Sequence, residues 1–279
     1  VIPAPFDYQR ASSVDEAIEL LRQHGEDAKL LAGGHSLLPL MKLRLAQPSV
    51  LVDIGRIADL SYVSETPADG RVLRIGALTR HHDLATSELV REQVPLLAHV
   101  ASRIGDPQVR HRGTIGGSVV HGDPASDLPA ALLALRATLV VRGPAGERSI
   151  PADEFFTGFL ETAIAPDEVL TEIRVPAVPG VGWAFEKFNR RAQDWAIVGV
   201  AAVMTDGAGG PGVGLVNMGP QPMRAAGVEE ALRAGASLGE AAARADEGTD
   251  PPTDLNGSAE YRRHLARVLV RRALETASG

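Results

Sequence analysis

Residues 102–137 read SRIGDPQVRHRGTIGGSVVHGDPASDLPAALLALRA. The segment begins at the end of a helical pattern and runs through a loop carrying Gly105, Gly113, Gly116 and Gly117. It leaves through Asp123-Pro124-Ala125-Ser126-Asp127 into an apolar helix. Thr114-Ile115-Gly116-Gly117-Ser118 sets two adjacent glycines among small hydroxyl residues. Glycine tolerates positive φ and lets backbone N–H groups approach a ligand closely, which suits an anion such as a pyrophosphate. For a single pair, a tight turn that needs glycine for geometry alone is the better reading.

A second stretch adds weight to the ligand. Asp27-Ala28-Lys29-Leu30-Leu31-Ala32 reads as a short buried strand, Gly33-Gly34-His35-Ser36 follows at once, and Leu37-Leu38-Pro39-Leu40-Met41-Lys42 resumes an apolar run. Strand, Gly-Gly turn and early proline predict a loop whose N–H groups point outward. Neither loop is a P-loop, since no Lys follows the glycines, and neither is GxGxxG. Together the two loops can grip one diphosphate from two sides.

The segments AGGHSLLPLMKLRLAQPSVLVDI and DPQVRHRGTIGGSVVHGDPASDLPAALLAL resemble the two flavin-binding segments of the FAD subunit of the molybdenum hydroxylases. That family includes the medium subunit of carbon monoxide dehydrogenase and the FAD domain of xanthine dehydrogenase. The likeness runs nearly end to end, through DEVLTEIRVP, FEKFNRRAQDWAIVGVAAVM and the closing AEYRRHLARVLVRRAL. The sequence departs from it at His111, where many relatives have Asn, and at Ser118, where the xanthine branch has Asn.

The resemblance implies an α+β fold: a two-lobed FAD-binding domain (vanillyl-alcohol-oxidase/PCMH-like), then a C-terminal domain of a three-stranded antiparallel sheet with helices. The lobes fall at 1–57 and 58–176, and the C-terminal flavoprotein domain at 177–279. It also implies non-covalent FAD. Ala32, Gly33, Gly34, His35, Ser36 and Leu37 line it from the first loop; Gly113, Thr114, Ile115, Gly116, Gly117 and Ser118 do so from the second. The amides of Gly33 to Ser36 and of Ile115 to Ser118 then hold the diphosphate, with hydroxyl bonds from Ser36 and Thr114. Ile104, Gly105, Leu170 and Asp127 are placed around the cofactor. Asp127 accepts from a ribose hydroxyl or an adenine amine, with capping of the helix ahead of Pro129 as the alternative. Lys187 is placed beside the N1–C2 carbonyl side of the isoalloxazine. Trp195 is placed near the flavin, with ordinary packing at a strand start as its alternative.

Composition agrees with a soluble globular class. The chain has 279 residues, with 44% hydrophobic and 23% charged residues, enough for two or three modest domains. Its net charge of −7 argues against nucleic acid or an anionic membrane as partner, so an anionic cofactor must be held by local backbone dipoles. No signal-peptide pattern and no membrane-length apolar run is read, which makes the cytoplasm the expected compartment, with a peripheral station at the inner membrane face allowed. The chain has no Cys, so it cannot ligate an iron–sulfur cluster through thiolates or form a cysteinyl–flavin bond. The resemblance therefore puts 2Fe-2S clusters on a small partner subunit and the molybdenum cofactor on a large one. No catalytic residue and no metal ligand is assigned to this chain. His81-His82-Asp83 and the pair His111 and His121 read as surface polar positions.

In chain order, Ser13-Val14-Asp15-Glu16 predicts a capping box, and Gly25 the end of that helix. Val50 to Ile54 and Arg71 to Ile75 predict strands. Thr79 predicts a cap for a helix through Leu84, and Pro95 to Ser102 a second helix. Asp127 to Leu135 predicts a helix, Leu139 to Val141 and Val169 to Val175 strands, and Phe155, Phe156 and Phe159 a packed aromatic cluster. Pro176 to Gly182 reads as a boundary. Three strands follow, at 183–190, 196–204 and 213–218, with residues 207–212 as a hairpin tip. The arginine pairs of the last helix read as a solvated face.

Three functions compete. The first is an FAD subunit relaying electrons from a partner's clusters to an external acceptor. The second is a stand-alone FAD oxidase or reductase of the same fold, which needs a substrate-facing acid or base. The third is a non-catalytic nucleotide-binding or assembly module. Flavin content separates the third from the others, and copurification with two further chains separates the first from the second.

Overall fold

The computed structural model describes residues 2–66, 71–205 and 209–279. Val1, and Gly207 and Ala208 of the predicted hairpin tip, lie outside the described residues. The chain opens with β1 (Asp7–Arg10), α1 (Val14–His24), β2 (Ala28–Leu31), α2 (Leu37–Lys42) and β3 (Val50–Asp53). The strands form a parallel sheet in the order β1-β3-β2. The central strand is apolar and buried along Val50-Leu51-Val52, as a parallel strand covered on both faces must be. Ser13 caps α1 by accepting from the Glu16 N–H. Glu16 does not complete the predicted box: its carboxylate accepts from the Ser12 N–H at 2.6 Å, one residue further out. Ala17, Ile18 and Leu21 of α1 pack into a core with Ala28, Val50 and Val52.

The middle of the chain holds β4 (Val63–Thr66), β5 (Val72–Gly76), α3 (His81–Thr86), α4 (Glu88–Gln93), α5 (Pro95–Ser102), α6 (Pro107–Arg112), α7 (Ile115–Val120) and α8 (Asp127–Ala134). Then come β6 (Thr138–Gly143), β7 (Gly146–Pro151), α9 (Ala152–Phe155), β8 (Phe156–Gly158), β9 (Glu161–Thr162) and β10 (Val169–Pro176). Its main sheet is antiparallel, ordered β4-β5-β10-β6-β7. The apolar faces of α5 and α8 bury Leu96, Leu97, Leu128 and Leu132 against Leu73, Leu139 and Ile173 of the sheet. Thr79 does not cap α3: Arg80 takes the cap position, and the Thr79 hydroxyl donates to the Tyr62 carbonyl at 2.9 Å. The predicted aromatic cluster splits, with Phe155 and Phe156 buried edge to face and Phe159 64% exposed.

The last third holds β11 (Gly182–Phe188), β12 (Val198–Met204), β13 (Gly212–Val216), β14 (Met223–Arg224), α10 (Ala226–Arg233), α11 (Leu238–Ala242) and α12 (Ala259–Ser278). The sheet is antiparallel but four-stranded, β11-β12-β13-β14, where three strands are predicted. The extra strand is two residues long and carries no alternation for a sequence reader to detect. Leu265, Leu269, Ala273 and Leu274 of α12 seal Val198, Val200 and Ala202 of the sheet. Arg262 of that helix is not on a solvated face. It is fully buried, with Nη1 donating to the Ile197 carbonyl and Nη2 to Asp254 at 2.7 Å.

Candidate functional site

A cleft of about 580 Å³ runs between the three parts of the fold, within the range of small-molecule and cofactor pockets. One wall is the turn between β2 and α2. Gly34 stands at φ +76°, a conformation costly to any residue with a Cβ. A Cβ on Gly33 would overlap the Arg112 carbonyl, so the two glycine segments touch backbone to backbone. The carbonyls of Gly34 and Ser36 accept from Leu38 and Leu40 as α2 begins. The N–H groups of Gly33, Gly34, His35 and Ser36 have no acceptor among the described residues, and neither does the Ser36 hydroxyl. Four open amides at one turn favour an anion.

The second glycine segment behaves differently. Residues 115–120 are not a loop but α7, entered through Thr114, whose hydroxyl oxygen accepts from the Gly117 N–H at 3.1 Å. The Ile115 N–H donates to Thr79, the Gly116 N–H to Ala77 at 2.8 Å, and the Ser118 N–H to Thr114. All four amides predicted to hold a diphosphate are therefore committed inside the protein. Ile115 does not reach the cleft at all, because its side chain is fully buried in the middle core. Gly116 is needed for packing: a Cβ there would stand 2.6 Å from the Ala77 carbonyl oxygen. What this segment offers the cleft is the remaining O–H of Thr114, the Ser118 side chain and the bare Cα surface of Gly113, Gly116 and Gly117. The Ser118 hydroxyl is already 2.9 Å from that of Ser126.

At one end of the cleft Lys187 of β11 donates to Asp127 of α8 at 2.7 Å, with both side chains about 5% exposed. Asp127 does not cap its helix; Ser126 holds the cap position. Its second oxygen, Oδ1, is buried without a partner among the described residues. Burial pushes the Asp127 carboxyl up, against the pull of Lys187. The sequence places Asp127 at the adenosine end and Lys187 at the flavin ring, but one ion pair cannot occupy both ends of a cofactor. Trp195, 57% exposed, stands on the cleft wall at the stretch joining β11 to β12. Ile104, Gly105 and Leu170 line the cleft, as do Ala32 and Leu37 beside the turn.

Sequence reasoning missed His81. It is 3% exposed, not a surface position, and it lines the cleft where the glycine segments meet. Burial, with His35, Arg80 and Arg110 nearby, lowers its pKa to about 4, so it is neutral at pH 7. The surface reading holds better for its neighbours: Asp83 and His111 are exposed, and His82 is half-buried with its ring 4.3 Å from that of His111.

Two family models match the chain. The FAD binding domain in molybdopterin dehydrogenase covers residues 4–178, and the CO dehydrogenase flavoprotein C-terminal domain covers 183–277. The chain belongs to the FAD-binding medium-subunit family of the molybdopterin dehydrogenases. A family member similar to it is the carbon monoxide dehydrogenase medium chain of Hydrogenophaga pseudoflava, 45% identical over 99% of this chain and 98% of that one. Another is the 6-hydroxypseudooxynicotine dehydrogenase complex subunit alpha of Paenarthrobacter nicotinovorans, 39% identical over 99% and 95%. A solved carbon monoxide dehydrogenase from Hydrogenophaga pseudoflava, which lacks the Mo-pyranopterin moiety, superposes with a TM-score of 0.95 at 46% identity, over 100% and 99% of the two chains.

The residues present fit the family's FAD. A diphosphate needs donors and meets four open amides and a serine hydroxyl at Gly33–Ser36. Ribityl, ribose or ring N–H groups need acceptors and meet the unpartnered Asp127 Oδ1. The ring and adenine need apolar walls and meet Leu30, Leu40, Ile164, Val169 and Leu170.

Proposed function

We propose that this chain holds FAD non-covalently and serves as the electron-transfer subunit of a molybdenum hydroxylase. It would take electrons from a small iron–sulfur subunit and release them to an external acceptor, while a large subunit with the molybdenum cofactor oxidises the substrate. The observation that carries the reading is the row of open amides at Gly33–Ser36, in a cleft that also offers an orphan carboxylate oxygen and a buried lysine. FAD, when bound, supplies a centre that takes electrons singly and gives them up in pairs. The protein's part is to hold and tune it. The amides of Gly33 to Ser36 neutralise the diphosphate, and Asp127 Oδ1 accepts a hydrogen bond from the cofactor. The Lys187 ammonium supplies positive charge that favours electron-rich forms of the ring. Gly113, Gly116 and Gly117 contribute close backbone approach, and the Thr114 hydroxyl a donor.

The same reading divides the chain at 1–57, 58–176 and 177–279, the first two parts enclosing the cofactor and the third closing one end with Lys187 and Trp195. Among the described residues no helix is long and apolar enough to cross a membrane, and we assign the chain to the cytoplasm. Relatives named for carbon monoxide and for 6-hydroxypseudooxynicotine match the whole chain alike, which supports assigning substrate choice to the large subunit. The test is a pull-down from native extract with metal and flavin analysis. Wild type is expected to bring down two further chains with iron, molybdenum and one FAD. Gly34→Val, strained at φ +76°, is expected to lose the FAD. A flavin-free wild-type complex, or a lone chain turning over a substrate without iron or molybdenum, overturns the reading.

A further inference from the structure

His81 is the first residue of α3, and its own N–H donates to the Gly113 carbonyl. That bond pins the imidazole beneath the second glycine segment. The ring edge carrying Nε2 and Cδ2 packs against Gly113, where a Cβ would meet Nε2 at 2.7 Å; Nε2, unlike Nδ1, is not shut off from the cleft that His81 lines. Gly113 adjoins Arg112, whose carbonyl abuts Gly33. The imidazole therefore sits at the junction of the two glycine segments, beside the turn with the open amides. Its other nitrogen, Nδ1, is buried with no partner among the described residues.

The orphan nitrogen decides the tautomer. A neutral imidazole has one N–H and one lone pair. A proton on Nδ1 would be a buried donor with no acceptor among the described residues, and orphaned buried N–H groups are rarer than orphaned acceptors. The proton therefore stands on Nε2, at the edge that faces Gly113 and the cleft. A neutral N–H donor suits this place, because Arg80 and Arg110 already bring positive charge close to the ring.

We propose that His81, through Nε2–H, is a binding residue for the cofactor's diphosphate and supplies the donor that the committed amides of Ile115–Ser118 do not. The inference rests on the FAD reading above. It replaces the symmetric picture of two amide loops with an asymmetric one: open amides on one side, and an imidazole on the other held in its tautomer by a dry pocket.

The test uses amide side chains as stand-ins. Gln presents an N–H near the position of histidine Nε2, Asn presents one near Nδ1, and Leu presents none. FAD affinity of the purified chain is measured by quenching of flavin fluorescence, with the melting temperature of each apo-protein recorded. His81→Leu and His81→Asn are expected to weaken FAD roughly ten- to a hundredfold, the effect of a lost hydrogen bond to a charged group. His81→Gln is expected to recover most of that loss. Riboflavin, which has no phosphate, is expected to bind His81→Leu and wild type alike. Unchanged FAD affinity in His81→Leu, or equal weakening in the Gln and Asn variants, overturns the inference while leaving the FAD reading intact. Wild-type protein that binds no FAD overturns both. Should His81→Leu not fold, the Gln and Asn pair carries the comparison alone.

Discussion

At the scale of the residue, the pair Asp127–Lys187 holds the sharpest consequence. Both side chains are buried, and each compensates the other. Removing one leaves an uncompensated charge, at about 3–5 kcal/mol. Lys187→Met should therefore lower stability by that order at pH 7, beyond any effect on flavin. The sign with pH follows from the carboxyl. Burial already pushes Asp127 above its ordinary 3.8, and losing the ammonium pushes it higher. Burial then favours the protonated form more strongly than in wild type. The variant should be nearest to wild type below pH 3.8 and fall away as pH rises through the carboxyl's folded-state value. Urea unfolding across pH checks this; a penalty that does not vary with pH counts against it. This pair was not legible in the sequence, because the partners lie 60 residues apart and neither has a local motif. His81 was illegible for a related reason. A His-His-Asp run carries no sign of which ring the next glycine segment will cover.

At the scale of the element, long periodic segments were readable: α5 spans the predicted Pro95–Ser102, and α1 stops at the predicted Gly25. The second glycine segment was not. Two adjacent glycines have poor helix propensity, so residues 115–118 read as loop. Tertiary packing overrides that propensity, with Ile115 and Val119 fully buried and Gly116 against Ala77. The Thr114 cap completes the start of the helix. Thr114→Val keeps the shape and removes the acceptor, so it should cost about 1 kcal/mol and raise amide exchange at Gly117. Thr114→Ser should restore both. A Val variant as stable as wild type would mean that packing alone holds α7. The open turn at Gly33–Ser36 was legible because strand, Gly-Gly and proline each favour the same geometry there. The four-stranded count of the last sheet was not, since β14 is too short for a pattern.

At the scale of the whole molecule, the Pro- and Gly-rich stretch between β10 and β11 was readable as a break in regular structure, but what joins the chain across it was not. The joint is packed, with α8 against β12 and β13 so closely that a Cβ on Gly212 or Gly214 would overlap an α8 carbonyl, and an ion network adds to it. Glu229 of α10 is fully buried, accepts from the Val213 N–H at 2.8 Å and pairs with Arg224. Arg136, just beyond α8, approaches the same carboxylate at 3.6 Å, and Arg224 also reaches Asp153 of α9 at 2.7 Å. One buried acid thus gathers arginines from both sides of the boundary. Glu229→Gln should cost about 3 kcal/mol by leaving Arg224 only the half-exposed Asp153 as a charge partner, and should loosen the third unit from the second. Faster proteolysis within residues 177–181, between β10 and β11, reads that loosening. A variant that melts earlier without easier cleavage would show that the network stabilises the third unit alone.

The unequal state of the two glycine segments also sets a clock on individual protons. Without cofactor the amides of Gly33 to Ser36 have no acceptor among the described residues, so their hydrogens should exchange with deuterated water almost as fast as in an unfolded peptide. Those of Ile115 to Ser118 are bonded inside the fold and should exchange only when α7 opens. Adding FAD should slow the first group by orders of magnitude and leave the second nearly where it was. Deuterium uptake of the two peptides, with and without FAD, would thus show a footprint on one side only. Equal slowing of both would return the diphosphate to a two-sided amide grip.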